Sequence, residues 1–211
     1  MFNLTLLSTL SFTDLQKVGI IYWDSLPALS QLTFPSFVSQ AKQVTITNTF
    51  LSTLDGINLM TVELLDINNN NRLKTFSTQV ANITTSVNIA SNGRSLDISF
   101  PNLIWANNMT FRNVSTVSIP SLATVNGSLI FDENYFTGLS APNLTSVGST
   151  ASKEGSLAFV ANPQLTNITI PGLLTCGGGV QVANNTDLQT ISFPALTTVG
   201  GAIDLAGNFT T

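Results

Sequence analysis

Apolar and polar residues alternate in short runs along this chain, and the runs return about every 22 residues from one end to the other. The most regular copies are VQVANNTDLQTISFPAL (180–196), LATVNGSLIFDEN (122–134) and LTTVGGAIDLAGN (196–208). The first apolar residue of the recurring V-x-V-x-x-N run falls at Ile21, Val44, Leu65, Val87, Met109, Leu129, Leu157, Val180 and Ile203, at intervals of 23, 21, 22, 22, 20, 28, 23 and 23. Alternation of this kind predicts strands with one side chain in and the next out, whereas helices would need apolar residues three and four apart. A fixed period of this length predicts a solenoid, in which each coil buries its apolar side chains only by stacking on its neighbours. The expected fold is all-β: a right-handed parallel β-solenoid of about nine ~22-residue coils, forming a single repeat domain over residues 1–211. The one long interval contains a small, polar, Gly-bounded segment (148–156), which reads as a surface loop insertion that leaves the stack intact.

Stacking turns each position of the repeat into a column. Ser11, Thr33, Asp55, Ser77, Ser99, Ser118, Ser140, Thr169 and Ser192 form an outward polar column, and nine rungs about 4.8 Å apart make a strip roughly 40 Å long. It is a candidate binding face for an extended polymer or a partner protein, although small polar residues are also what a solvated strand face tolerates. A second column is asparagine: Asn48, Asn70, Asn92, Asn113, Asn134, Asn162, Asn185 and Asn208. The run echoes the leucine-rich-repeat L-x-L-x-x-N, and an amide that both donates and accepts suits a structural ladder that satisfies backbone groups at a turn. Pro101, Pro120, Pro142, Pro171 and Pro194 each follow a strand and end it. The V-G-G turns read as places where the backbone takes positive φ.

Composition narrows the function. Charged residues are only 9% of the chain, against about 25% in ordinary soluble proteins. A net charge of −4 disfavours nucleic acid, which needs a basic face. No apolar stretch is long enough to span a membrane. The absence of histidine removes most nucleophile–base pairs and most transition-metal sites, so no cofactor or metal is expected. Cys176 sits where other coils carry Val125, Val147 and Val199, and reads as a small buried apolar residue. Carboxylates are the remaining catalytic chemistry, but no two acids fall one coil apart in one column, so no catalytic residues are assigned.

Nine N-x-S/T sequons occur, at Asn3, Asn82, Asn108, Asn113, Asn126, Asn143, Asn167, Asn184 and Asn208. Most fall in predicted turns, which suggests a secreted glycoprotein. Asn113 and Asn208 also belong to the asparagine column, so low occupancy is expected there. The glycosylation candidates are therefore Asn3, Asn82, Asn108, Asn126, Asn143, Asn167 and Asn184, with high occupancy expected at Asn82, Asn126 and Asn167.

The stretches TLDGINL (53–59), LLDINNN (64–70), LIWANNMTFRNVSTVS (103–118), VNGSL (125–129) and GGAIDLAGNFT (200–210) carry a resemblance that covers nearly the whole chain. The chain resembles the fungal GPI-anchored cell-wall organisation proteins, whose fold is similar to the L domains of insulin- and EGF-type receptors. That resemblance implies secretion, heavy glycosylation, a link to the outer face of the cell surface and a role in wall assembly, with no catalytic residues to carry over. The leading expectation is a non-catalytic protein of fungal cell-wall organisation. The alternative is a binding module that recognises wall glucan, chitin or a surface protein along one solenoid face. Exposed aromatics would favour the alternative, and Tyr22, Trp105 and Tyr135 are the candidates, since Trp23 takes an inward position.

The ends of the chain carry a further expectation. Leu10, Phe12, Leu15 and Val18 are already in register near Met1, with no signal peptide or cysteine-bearing cap before them, and Thr211 follows a strand with no Ser/Thr-rich stalk or GPI signal. The reading expects a solenoid cut at both ends, its GPI anchor absent. Leu4, Leu7, Leu10 and Phe12 would then be bare at one end and Ile203 and Leu205 at the other, inviting end-to-end self-association.

Overall fold

A computed structural model describes residues 1–207 of the chain, and among these residues there are strands and turns but no helix. Each coil carries a main strand and, except between Val38–Thr49 and Ile57–Asn68 where an isolated bridge at Thr53 takes its place, a short strand. The main strands Lys17–Leu26, Val38–Thr49, Ile57–Asn68, Asn82–Ala90 and Trp105–Arg112 run unbroken. In the later coils the main strand is in two pieces: Thr124–Val125 with Leu129–Asp132, Ser146–Val147 with Leu157–Val160, Thr175–Cys176 with Val180–Ala183, and Thr198–Val199 with Ile203–Ala206. All of these join one 13-stranded sheet in which every pairing is parallel. The chain is thus a β-solenoid of about nine turns, as the period predicts.

The register follows the apolar columns. Leu129 pairs with Leu157, Leu157 with Val180, and Val180 with Ile203, so the interval of 28 does not disturb the stack. The surplus residues form a hairpin closed by the Ser149 N–H to the Glu154 carbonyl at 2.8 Å. Val18, Ala41, Val62, Ile83, Ala106, Val125, Val147, Cys176 and Val199 make one inward column, and all but the outermost two are buried. Another runs through Trp23, Ile46, Ile67, Ile89, Phe111, Phe131, Phe159 and Val182, every member buried. Within it Phe111, Phe131 and Phe159 stack with centroids 5.6 and 5.0 Å apart. Burial of each such side chain stabilises by about 1.5–3 kcal/mol, and only the neighbouring coils supply that burial.

The backbone bends at one repeated place. Ser25, Asn48, Asn69, Ser91, Asn113, Glu133, Ala161 and Asn184 all have φ between 53° and 59°, each four residues after the first apolar residue of its strand. This corrects two rungs of the expected asparagine ladder. Asn48 and Asn113 occupy the left-handed bend, where asparagine is tolerated, rather than the ladder position one residue later. Thr49 and Val114 hold that position and are the buried residues there. Asn208, the last expected rung, lies outside the described residues.

The glycine corners also differ from expectation. Positive φ among glycines occurs at Gly56, Gly148 and Gly155, not along the V-G-G turns as a class. At the corners the need is for space. A Cβ on Gly200 would lie 2.1 Å from the Gly177 carbonyl oxygen of the coil below, and one on Gly127 would lie 2.2 Å from Asn108 Oδ1.

Candidate functional site

The asparagine ladder is a continuous hydrogen-bond chain with one gap. The Asn134 backbone N–H donates to Asn162 Oδ1 at 2.9 Å, and the Asn162 N–H donates to Asn185 Oδ1 at 2.9 Å. The side-chain NH₂ groups of Asn70, Asn134 and Asn162 also reach two ways, whereas among the described residues those of Asn92 and Asn185 donate only to a carbonyl of the previous coil. Asn162 Nδ2 donates to the Phe131 carbonyl of the previous coil at 3.1 Å and to Asn185 Oδ1 of the next at 3.0 Å. Asn70 repeats this towards Ile46 and Asn92. Asn70, Asn92, Asn134, Asn162 and Asn185 are all buried, so every bond replaces one the chain could not make to water. Val114 offers no acceptor, and the chain of amides stops between Asn92 and Asn134.

A second ladder escaped the sequence reading. Asn108 Oδ1 accepts the Ser128 N–H at 2.9 Å, Ser128 Oγ accepts the Ser156 N–H at 3.1 Å, and Ser156 Oγ accepts the Gly179 N–H at 3.1 Å. These oxygens bridge the corner where the later main strands split. The signal was a Ser or Asn one residue before the first apolar residue, spread over three coils and easily lost among so many small polar residues.

The hydroxyl column is not one strip. Ser11 pairs with Thr33; Ser77, Ser99 and Ser118 pair in a second sheet; Ser140, Thr169 and Ser192 pair in a third. Asp55 stands in a turn outside any strand, beside Ser77 in a hollow of 320 Å³ that Phe37 and Gly56 also line. The structure therefore divides the expected nine-rung face into three short arrays. Of the aromatics, Tyr22 is exposed, Trp105 and Tyr135 are half-buried, and Trp23 is buried 6.3 Å from the Phe34 ring centroid.

Acids are isolated from one another within their columns. Asp66 pairs with Thr45 and Asn88, Asp97 with Thr75 and Thr116, and Asp132 with Arg112 and Val160. Asp24 accepts from the Asn48 amide at 3.0 Å, and that bond, helped by Ser25 and Tyr22, holds its carboxyl below the usual range. Asp66 is clamped by Asn68 and Asn88. Arg112 joins Asp132 and Glu133 across one coil step. The Cys176 thiol is buried, its Sγ donates to the Gly179 carbonyl at 3.3 Å, and burial pushes its pKa up, so it is a poor nucleophile.

Asn3, Asn82, Asn108, Asn126, Asn143, Asn167 and Asn184 are exposed, and Asn113 is half-buried. They differ in what their amides do. Asn143 Nδ2 donates to the Pro120 carbonyl at 2.8 Å, Asn113 Nδ2 to the Glu133 carbonyl at 3.3 Å, and the Asn108 oxygen serves the corner ladder. Asn82 lies on the rim of an open groove of 660 Å³ together with Lys17, Gln40, Lys42, Thr61 and Glu63. The groove follows the bend of the amino-terminal main strands, where pairing shifts register between Val38 and Gln40, Val62 and Leu64, and Ile83 and Ser86.

A ribbed solenoid with hydrogen-bonded columns defines a repeat protein whose stacked coils present columns of side chains at the surface. The comparisons agree in class. The chain is 47% identical over 178 residues to Protein ecm33 of Aspergillus fumigatus, covering 84% of this chain and 43% of that protein. It is 44% identical over 155 residues to the Cell surface GPI-anchored protein of Arthroderma benhamiae, covering 73% and 38%. It is 36% identical over 129 residues to Cell wall mannoprotein PST1 of Saccharomyces cerevisiae, covering 61% and 29%. The chain belongs to the Ecm33 family of fungal cell-surface GPI-anchored proteins. It spans between 29% and 43% of the length of these three relatives, none of which is named as an enzyme and two of which are named as wall or surface proteins. No family model and no solved structure matches it.

Proposed function

We propose that this segment is part of a non-catalytic glycoprotein of the fungal cell surface that contributes to cell-wall organisation. The observation that carries the reading is the 47% identity to Protein ecm33 over 84% of the chain. Names such as cell wall mannoprotein and cell surface GPI-anchored protein support an extracellular location in the wall or on the outer face of the plasma membrane. The absence of a catalytic role is supported by acids that are each bracketed by non-acidic neighbours and by a thiol with a raised pKa. The test is replacement of the gene by a version lacking residues 1–211. Hypersensitivity to a wall-perturbing dye and altered wall polysaccharide content are expected, and a wall indistinguishable from the parent would overturn the reading.

The second reading, a binding module for wall polysaccharide or a surface protein, is favoured by the exposed Tyr22 and the amide-clamped carboxylates of Asp24 and Asp66 on one sheet face. Pull-down of the secreted protein on insoluble glucan and chitin tests it. Retention that Tyr22→Ala and Asp66→Ala abolish supports this reading, and no retention on either polymer counts against a polysaccharide ligand.

A further inference from the structure

We propose that the groove of the amino-terminal coils is the seat of an N-linked glycan carried by Asn82, whose first sugars lie against the protein as part of its folded surface. This rests on the proposed surface role, because only a secreted chain meets the glycosyl transferase. In that reaction Asn82 Nδ2 forms a bond to C1 of the sugar and loses one proton. The C1–O bond to a lipid-linked diphosphate breaks, and the diphosphate leaves with the electron pair.

Four observations converge. First, the sequon Asn82–Ile83–Thr84 opens the main strand Asn82–Ala90, and both Asn82 and Thr84 line the groove. Second, among the described residues the Asn82 side chain makes no hydrogen bond, whereas Asn143 and Asn113 are tied to neighbouring carbonyls. Third, the register sets a direction. Lys17 pairs with Gln40 and Gln40 with Thr61, and Val62 opposite Ile83 places Thr61 beside Asn82. On the other side Asn82 pairs with Trp105, a half-buried indole that does not line the groove. A glycan leaving Asn82 is therefore steered back over Thr61, Gln40 and Lys17, across three strand spacings or about 14 Å.

Fourth, the groove has the chemistry of an N-acetylglucosamine ring. Met60 is exposed within it and offers an apolar contact to a sugar C–H face or an acetamido methyl. Gln40 both donates and accepts, and Lys42, 3.8 Å from Glu63, offers a charge pair to sugar hydroxyls. The glycan is already covalently attached, so seating it costs only its own internal freedom, without the loss a free ligand pays on association.

The test uses the full-length protein secreted by its native host. Glycopeptide mass spectrometry should find Asn82 occupied. Native-state digestion with an endoglycosidase should trim Asn143 and Asn167 at least about ten-fold faster than Asn82, the protection expected of a contact held about nine-tenths of the time. Asn82→Gln should lower the melting temperature by about 2–4 °C, while Asn143→Gln leaves it unchanged. Met60→Asp with Gln40→Ala, which keeps the sequon, should leave Asn82 occupied and raise its trimming rate to that of Asn143. Equal trimming rates in the parent protein, or an empty Asn82 beside occupied Asn143 and Asn167, would overturn the seat alone. Empty sequons throughout would overturn the surface-glycoprotein reading together with it.

Discussion

In the coils up to Arg112 two residues, such as Lys42 and Gln43 between Ala41 and Val44, separate the inward columns in every coil but one, where Thr84, Thr85 and Ser86 separate Ile83 from Val87. After Arg112 no corner has fewer than three residues, as where Gly177, Gly178 and Gly179 separate Cys176 from Val180. The extra residue of the Thr84–Ser86 corner is absorbed as a register shift against the strands on both sides, and the main strand stays unbroken. After Arg112 the corner splits the main strand, and its backbone is held by stacked glycines and the oxygens of Asn108, Ser128 and Ser156. The same core columns thus pass through two different local solutions. The change coincides with two other breaks: the amide ladder skips at Val114, and the sheet of short strands ending at Ser118 does not join the one beginning at Gly138. Phe111 on Phe131 and Arg112 on Asp132 and Glu133 stitch this seam. What repeats strictly in a solenoid is the buried column; the corners may vary coil by coil wherever their polar groups find partners.

The largest test of that contrast is the ladder. Asn162→Ala removes the acceptor of the Asn134 N–H, one of the two acceptors of the Asn134 amide and a donor to the Phe131 carbonyl, and should cost about 3 kcal/mol. Thr49→Ala, at a rung where the N–H and hydroxyl donate to Asn70 and the hydroxyl accepts a long bond from the Leu51 N–H, should cost about 1 kcal/mol. Urea midpoints measure both, and equal losses would mean that the two halves depend on the ladder alike.

Glycine substitution probes the corners. A Cβ on Gly177 would lie 2.3 Å from the Ser149 nitrogen, whereas one on Gly19 meets nothing within 4 Å. Gly177→Ala should destabilise by about 2 kcal/mol, and Gly19→Ala should stabilise by about 0.5 kcal/mol through the unfolded chain. Thermal melts of the two variants should move in opposite directions.

The seam can be repaired. Val114→Asn places an acceptor next to the Asn92 N–H and should stabilise by about 1 kcal/mol. Loss of stability instead would show that the apolar Val114 side chain matters more to the seam than the missing amide. Smallest is an electrostatic effect confined to the first coils. Asp24 has a folded pKa below its unfolded one, so its contribution is present above the ordinary carboxylate range and fades as the pH falls through the lowered value. Asn48→Gly removes the chief cause while suiting the bend, and the acid-unfolding midpoint should rise slightly. An unchanged midpoint would remove Asp24 from the account.

Legibility followed physics. The period and the alternation located the strands because burial demands both, and a 22-residue spacing leaves no other way to cover the apolar faces. The rungs at Asn70, Asn134 and Asn162 were visible because a buried amide is a rare and specific choice. Asn48 and Asn113 were misplaced by one residue because asparagine also suits a left-handed bend, and two reasons for one residue type cannot be separated in a single sequence. The Ser128 and Ser156 oxygens went unnoticed because a serine in a serine-rich chain signals nothing until its partner is known.

The sequence by itself determined the solenoid, its number of coils and its inward columns, since those follow from hydrophobic periodicity that every neighbour must match. It also determined the family, through stretches such as LLDINNN and LIWANNMTFRNVSTVS. Only the tertiary structure decided that the outer hydroxyl column breaks into three arrays, that the solenoid changes its corner at Arg112, and that Asn82 faces a groove while Asn143 is tied to a carbonyl. Outward positions bear no packing constraint from their own coil, so their meaning depends on the residue one coil away, about 22 positions distant in sequence and about 4.8 Å distant in space.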